Sequence, residues 1–158
     1  MPGVGKSTIG RLLAGKIGFA FLDLDNLIRD SEGKTHAQIA SERGDRELSR
    51  LEESYTLKAN LEKTVFAPGG SIVYSELAME KLCRETQVIY LAADLAVISQ
   101  RLGDQIAERG IVGFAEKGLA GVFAERASLY EKYAHRKVEC GAETAEQLAE
   151  QLAHLSIS

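Results

Sequence analysis

Met1-Pro2-Gly3-Val4-Gly5-Lys6-Ser7-Thr8 opens the chain. Counted back from Gly5, it is the end of a G-x-x-x-x-G-K-[ST] loop (Walker A) whose first glycine falls just ahead of Met1. Gly3 and Gly5 leave room for successive backbone N–H groups, from Gly3 to Ser7, to curl around a phosphate. The loop then feeds the positive end of a helix, where Lys6 reaches the β- and γ-phosphates and the Ser7 hydroxyl can coordinate Mg²⁺. A nucleoside triphosphate fits this pattern. The plain alternative is a flexible terminus rich in glycine, lysine and serine. The next residues argue against it, because Ile9, Leu12, Leu13 and Ile17 form one apolar helical stripe and Gly18 stands where a glycine stops a helix.

The rest of the composition narrows the class. With 158 residues, 45% of them hydrophobic and 27% charged, the chain suits one buried core and is too short for two ordinary domains. A single domain over residues 1–158 is expected. The chain has neither a long apolar run nor a basic-then-apolar start, so a soluble, cytoplasmic protein without membrane partners is expected. Cys83 and Cys140 fit no metal spacing and read as two semi-buried thiols. A net charge of −4 argues against nucleic acid as the main partner.

Short apolar runs alternate with helical patterns. Strands are expected at Phe19–Leu24, Thr64–Ala67, Val88–Leu91 and Lys137–Cys140. Between them, helical segments cover 26–30, 35–43 closed by Gly44, and a longer stretch through Leu48, Leu51, Tyr55 and Leu61. Ser75 caps a helix over 76–84 and Asp94 one reaching about Leu102. A helix over about 121–133 precedes the last strand, and the final helix carries Thr144 and Gln147 at capping-box spacing. From Gly103 to Gly121 five glycines interrupt the pattern, the composition of a mobile lid or of a solvated connector. Alternating strands and helices predict an α/β fold with a parallel sheet flanked by helices.

A Walker A loop normally follows a buried strand. Loss of about five apolar strand residues, at roughly 1.5–3 kcal/mol each, would cost about 8–15 kcal/mol, as much as a whole domain's stability. Met1 is therefore expected to be an internal methionine of a longer working protein. A cooperative melt of this chain, shifted by ATP, would count against that expectation.

Taken in order, P-G-V-G-K-S-T-I-G-R-L-L-A (2–14), F-L-D-L-D-N-L-I (21–28), A-P-G-G (67–70), V-I-Y-L (88–91) and A-E-R-A-S-L-Y-E-K-Y-A (124–134) closely resemble the shikimate kinases. These are small P-loop kinases of the nucleoside-monophosphate-kinase type. The resemblance implies a five-stranded parallel sheet of order 2-3-1-4-5, with the absent first strand at its centre. It implies ATP-dependent phosphorylation of shikimate to shikimate 3-phosphate by a monomer, with ATP and Mg²⁺.

Carried onto this chain, the resemblance gives Gly3, Val4, Gly5, Lys6, Ser7 and Thr8 to the ATP phosphates, with Lys6 stabilising the transferring group. Ser7 would ligate Mg²⁺, and Asp23 would hold it through water. Asp25 would bind the acceptor hydroxyl as the base. That role also suits the chemistry alone, since phosphoryl transfer needs an oriented nucleophile more than a strong base. Asp23 and Asp25 read equally as acids at the start of a helix, and both readings can hold for one residue. Gly69 and Gly70 would approach the acceptor, although without the family Pro-Gly-Gly is an ordinary turn. Arg101 would stack on adenine, with the backbone of 142–145 on the other face; alone it is a helix-end arginine. Arg109 would close over the phosphates and Arg126 would grip the acceptor's carboxylate. Each of these two otherwise reads as a solvated arginine.

The chain departs from the family in three places. The family's G-E-x-x-F-R-x-x-E arginine, a second carboxylate anchor, is Ser49 in the segment Gly44–Glu52. That loss predicts about 10- to 150-fold weaker shikimate binding unless another group substitutes. Arg46, one turn earlier on nearly the same face, is the expected substitute rather than Arg50. Gly110-Ile111-Val112 replaces the usual Pro-Leu-Leu after the lid arginine, and Pro68 replaces the first glycine of the turn, removing one N–H donor. A kinase acting on another hydroxy acid or sugar acid is the first alternative. A noncatalytic nucleotide switch is the second, and no N-K-x-D guanine motif supports a GTPase.

Overall fold

A computed structural model describes residues 1–156, without the side chains of Gln105, Ala107, Glu108 and Ser156. The last two residues of the expected domain lie outside that range. The elements in chain order are α1 (Lys6–Ile17), β1 (Ala20–Asp23), α2 (Leu24–Glu32), α3 (His36–Arg43), α4 (Asp45–Lys58), β2 (Thr64–Ala67), α5 (Glu76–Glu85), β3 (Ile89–Ala92), α6 (Leu95–Leu102), α7 (Phe114–Tyr133), β4 (Arg136–Glu139) and α8 (Ala145–Ser156). Two 3-10 segments, Gly70–Tyr74 and Gly103–Arg109, complete the path. This is the expected α/β alternation.

Local chemistry sets most of the boundaries. Gly18, with φ 70°, closes α1 through its N–H to the Ala14 carbonyl. Thr35 and Gln38 form a reciprocal capping box that fixes the start of α3. Ser75 Oγ accepts from Ala78 N at 3.1 Å, and Thr144 with Gln147 repeats the box ahead of α8. Asp94 precedes α6 but makes no side-chain cap. The other departure concerns 114–121, where the glycine content predicts lid or connector. There α7 already runs from Phe114, and the glycine signal survives as a kink at Gly118, φ 63°.

The strands form two separate parallel pairs. In one, Ala20–Asp23 runs beside Thr64–Ala67 with Asp23 opposite Ala67; in the other, Ile89–Ala92 runs beside Arg136–Glu139. Between β2 and β3 lies a slot of about 720 Å³, walled by Leu13, Val65, Phe66, Ile89, Leu91 and Tyr130, among others. It occupies the place of the central strand in the expected order. One core packs α1 against α8 and β4 through Ile9, Leu13, Val138 and Leu152. A second, built on Leu24, Ile28, Ile39 and Leu48, ties α2, α3 and α4 into one unit. Among the described residues, no helix is long and apolar enough to cross a membrane.

Candidate active site

β1 and β2 end side by side, β1 running straight into α2 and β2 into the Pro68-Gly69-Gly70 turn. Asp25 and Gly69 each follow the opposed pair Asp23 and Ala67 by two residues. A Cβ built on Gly69 would stand 3.2 Å from Asp25 Oδ1 and inside 3.0 Å of Glu52 Oε1. Glycine is therefore the residue that lets this backbone pass two carboxylates. At Gly70 a Cβ would meet Arg126 Nη1 at 2.8 Å and the Tyr130 hydroxyl at 3.0 Å. The expected acceptor residues Asp25, Gly69, Gly70 and Arg126 thus converge on one wall.

Arg126 is 2% exposed. Its Nη2 donates to the Val112 carbonyl at 3.0 Å and its Nε to the Tyr74 hydroxyl at 3.4 Å; the guanidinium also stands over the Tyr74 ring. Among the described residues it forms no ion pair with a carboxylate, and a buried charge without a counter-ion is costly. Tyr130 donates to the Gly70 carbonyl at 2.7 Å, and burial pushes its phenol up to about 12.

The phosphate side is set by the start of α1. Gly3 and Gly5 take positive φ, 80° and 98°, a conformation that side chains disfavour. Val4 is buried and its carbonyl accepts from Arg101 at 3.4 Å; Thr8 is exposed. Ser7 Oγ donates to Asp23 Oδ2 at 2.5 Å, while Asp23 Oδ1 accepts from Asn26 N at 3.1 Å. Asp23 therefore caps α2 and faces the phosphate loop at once. Burial lowers the Lys6 pKa, with Asp25 and Asp23 opposing the shift and Arg109 and Arg126 adding to it. The five charged side chains share one electrostatic neighbourhood. A hydroxyl and a carboxylate oxygen, both hard donors, suit a magnesium ion, so Ser7 and Asp23 fit the expected metal.

Two residues that the sequence did not single out stand against the same wall. Glu52 is 2% exposed and accepts from the Ser71 hydroxyl at 2.6 Å; burial pushes its carboxyl up to about 7. His36 Nε2 stands 3.4 Å from Asp25 Oδ1 and 3.9 Å from Glu52 Oε1. One ligand-type atom from each of Asp25, His36 and Glu52 lies within 4.8 Å of the others. Glu52 is the closing glutamate of the Gly44–Glu52 segment, a visible signal; His36 has none, being an isolated histidine after a capping threonine. Arg46, the expected substitute for the lost anchor, forms no polar contact with this wall among the described residues. It is exposed, and among the described residues it makes no hydrogen bond or ion pair, whereas its neighbour Asp45 accepts from Gly113 N at 2.8 Å.

The shikimate kinase family model matches residues 2–156. The chain belongs to the shikimate kinase family. Curated relatives agree: shikimate kinase 2 of Yersinia pseudotuberculosis is 33% identical over 95% of this chain and 88% of its own length. The shikimate kinase of Thermobifida fusca is 31% identical over 96% of this chain and 88% of its own. Among solved structures, a shikimate kinase from Acinetobacter baumannii in complex with shikimate superposes with a TM-score of 0.86 at 28% identity. It covers 98% of this chain and 88% of that one. The shikimate kinase of Aquifex aeolicus gives a TM-score of 0.77 at 25% identity, over 99% and 92% of the two chains. The fold is thus the P-loop kinase fold of this family, and the enzyme class is phosphotransferase with an alcohol acceptor.

Proposed function

We propose that this protein transfers the γ-phosphoryl group of ATP to a hydroxyl of shikimate, giving shikimate 3-phosphate and ADP. The observation that carries the reading is the placement of Asp25 beside Gly69 and of the buried Arg126 beside Gly70, on one turn. Arg126 takes the acceptor's carboxylate in a bidentate grip. That contact turns the ring so that one hydroxyl meets the Asp25 carboxylate, which orients it and takes up its proton as the new O–P bond forms. Lys6 and Arg109 neutralise charge on the transferring oxygens, the main contribution a protein makes to this chemistry. Arg101 covers the adenine. Ser7 would hold Mg²⁺ directly and Asp23 through water, and the ion would supply charge neutralisation to the transferring group.

The working form is read as a cytoplasmic monomer, and size-exclusion chromatography with light scattering tests the monomer. Ser49 and the exposed Arg46 favour one second reading, a kinase of this family acting on another hydroxy acid or sugar acid. Mass detection of the phosphorylated product across a panel of shikimate, quinate, gluconate and homoserine separates the two. Phosphate appearing on shikimate alone supports the first; phosphate on another acceptor, with shikimate unchanged, overturns it.

A further inference from the structure

The acceptor wall holds a side chain that the phosphoryl-transfer scheme leaves unused. His36 is the first residue of α3, and the capping box on Thr35 and Gln38 fixes its backbone. The chain after Arg109 rests directly on it: a Cβ on Gly110 would stand 2.7 Å from the His36 carbonyl carbon and 2.6 Å from Ala37 N. The His36 backbone is thus held from both sides, and its side chain is only 13% exposed. Yet its Nε2 is a buried atom with no hydrogen-bond partner among the described residues. A buried ring nitrogen left unmatched costs free energy unless a ligand completes it.

Its surroundings say which ligand. Among the described residues, two carboxylate oxygens face Nε2, Asp25 Oδ1 and Glu52 Oε1. A second carboxylate on the acceptor would be repelled there, so the acid end belongs to Arg126 across the pocket. A hydroxyl suits the position, because it donates to a carboxylate and accepts from an imidazole N–H at the same time. The Asp25 oxygen and His36 Nε2 are 3.4 Å apart, close enough to serve hydroxyls on neighbouring carbons. With Ser49 where the family places an arginine, α4 supplies no cationic donor at this end of the pocket.

We propose that His36 is a specificity-determining residue whose Nε2 hydrogen-bonds the hydroxyl next to the one phosphorylated, so that the pocket takes carboxylates bearing a vicinal diol. The inference rests on the reading of the acceptor as shikimate and adds which hydroxyl the chain recognises and with what. A monohydroxy acid leaves Nε2 unpartnered and is rejected by that deficit.

The test is steady-state kinetics at saturating MgATP on wild type, His36→Leu and His36→Gln, each with shikimate and with 4-deoxyshikimate. Wild type is expected to lose about ten- to a hundredfold in kcat/KM on the deoxy acceptor. His36→Leu is expected to lose a similar factor on shikimate, mainly in KM, and to show little further loss when the hydroxyl is removed. His36→Gln, which can bring an amide nitrogen near the Nε2 position, keeps most of the discrimination. A His36→Leu enzyme that discriminates as wild type does, or loses activity equally on both acceptors, overturns the proposal. If His36→Leu does not fold, a soluble His36→Gln enzyme without discrimination overturns it instead. A wild type that binds ATP but never phosphorylates shikimate defeats the shikimate reading and this inference with it, before any substitution is compared.

Discussion

Gly69 and Asp25 lie two residues beyond an opposed pair of parallel strand residues, and a Cβ on Gly69 would come to 3.2 Å from Asp25 Oδ1. The proposed acceptor wall thus begins where the paired ends of β1 and β2 stop. Gly69→Ala forces the new methyl against Asp25 and the Glu52 carboxylate, both of which must then move. The expected result is a folded protein whose acceptor KM rises at least tenfold while its ATP affinity is nearly unchanged. Equilibrium ATP binding and steady-state kinetics read the two effects separately, and an unchanged acceptor KM would contradict the placement of this turn.

The bond from Ser7 Oγ to Asp23 Oδ2 joins the phosphate loop to the end of β1. Asp23→Asn keeps an oxygen for the Asn26 cap and removes the charge. Stability is expected to change by less than about 1 kcal/mol, while the Mg²⁺ concentration for half-maximal rate rises about tenfold or more. A large fall in Tm with an unchanged Mg²⁺ requirement would make Asp23 a cap alone.

Much of this site could be read before the fold was known. The phosphate loop, the D-x-D pair and the Pro-Gly-Gly turn are local in sequence, because each does its work within a few residues. The capping residues Thr35, Ser75 and Thr144 were legible for the same reason. Glu52 carried a signal as the closing glutamate of the Gly44–Glu52 segment, whereas His36 had none, since its place beside Asp25 arises only when α3 folds against the end of β1. Residues 114–121 misled in another way: Gly113, Gly118 and Gly121 suggest a loop, but a single kink at Gly118 absorbs that freedom and the flanking residues stay helical.

Glu52 also sets a pH dependence. Its carboxyl is pushed up to about 7 by burial, with Asp25 adding to the rise and Ser71, Arg126 and Lys6 opposing it; the His36 ring faces it as well. The unfolded chain releases this proton near the usual 4.5 and the folded one only near 7. The folded state therefore binds more protons in that window, and stability falls as pH rises through it, by up to about 3 kcal/mol. Glu52→Gln should remove this slope, raising Tm by several degrees at pH 8 relative to wild type and little at pH 4. Thermal melts across pH 4–8 check it, and parallel profiles for the two proteins would contradict it.

The slot between β2 and β3 predicts a response to a strand. Its apolar walls and the two facing strand edges suit one parallel strand, and Met1 lines the slot. Extending the chain ahead of Met1 by about five apolar β-branched residues is expected to raise Tm by about 10 °C or more. A melt identical to that of the 158-residue chain would show that the slot does not accept a strand.

The central claim is that shikimate is phosphorylated at the Asp25 wall. A coupled assay of ADP release with MgATP, run with and without shikimate on wild type and Asp25→Asn, tests it most directly. ADP release that depends on shikimate in wild type and falls about 10²- to 10⁴-fold in Asp25→Asn, with ATP binding retained, is the predicted result. ATP binding without shikimate-dependent ADP release in wild type, or turnover indifferent to Asp25→Asn, would contradict it.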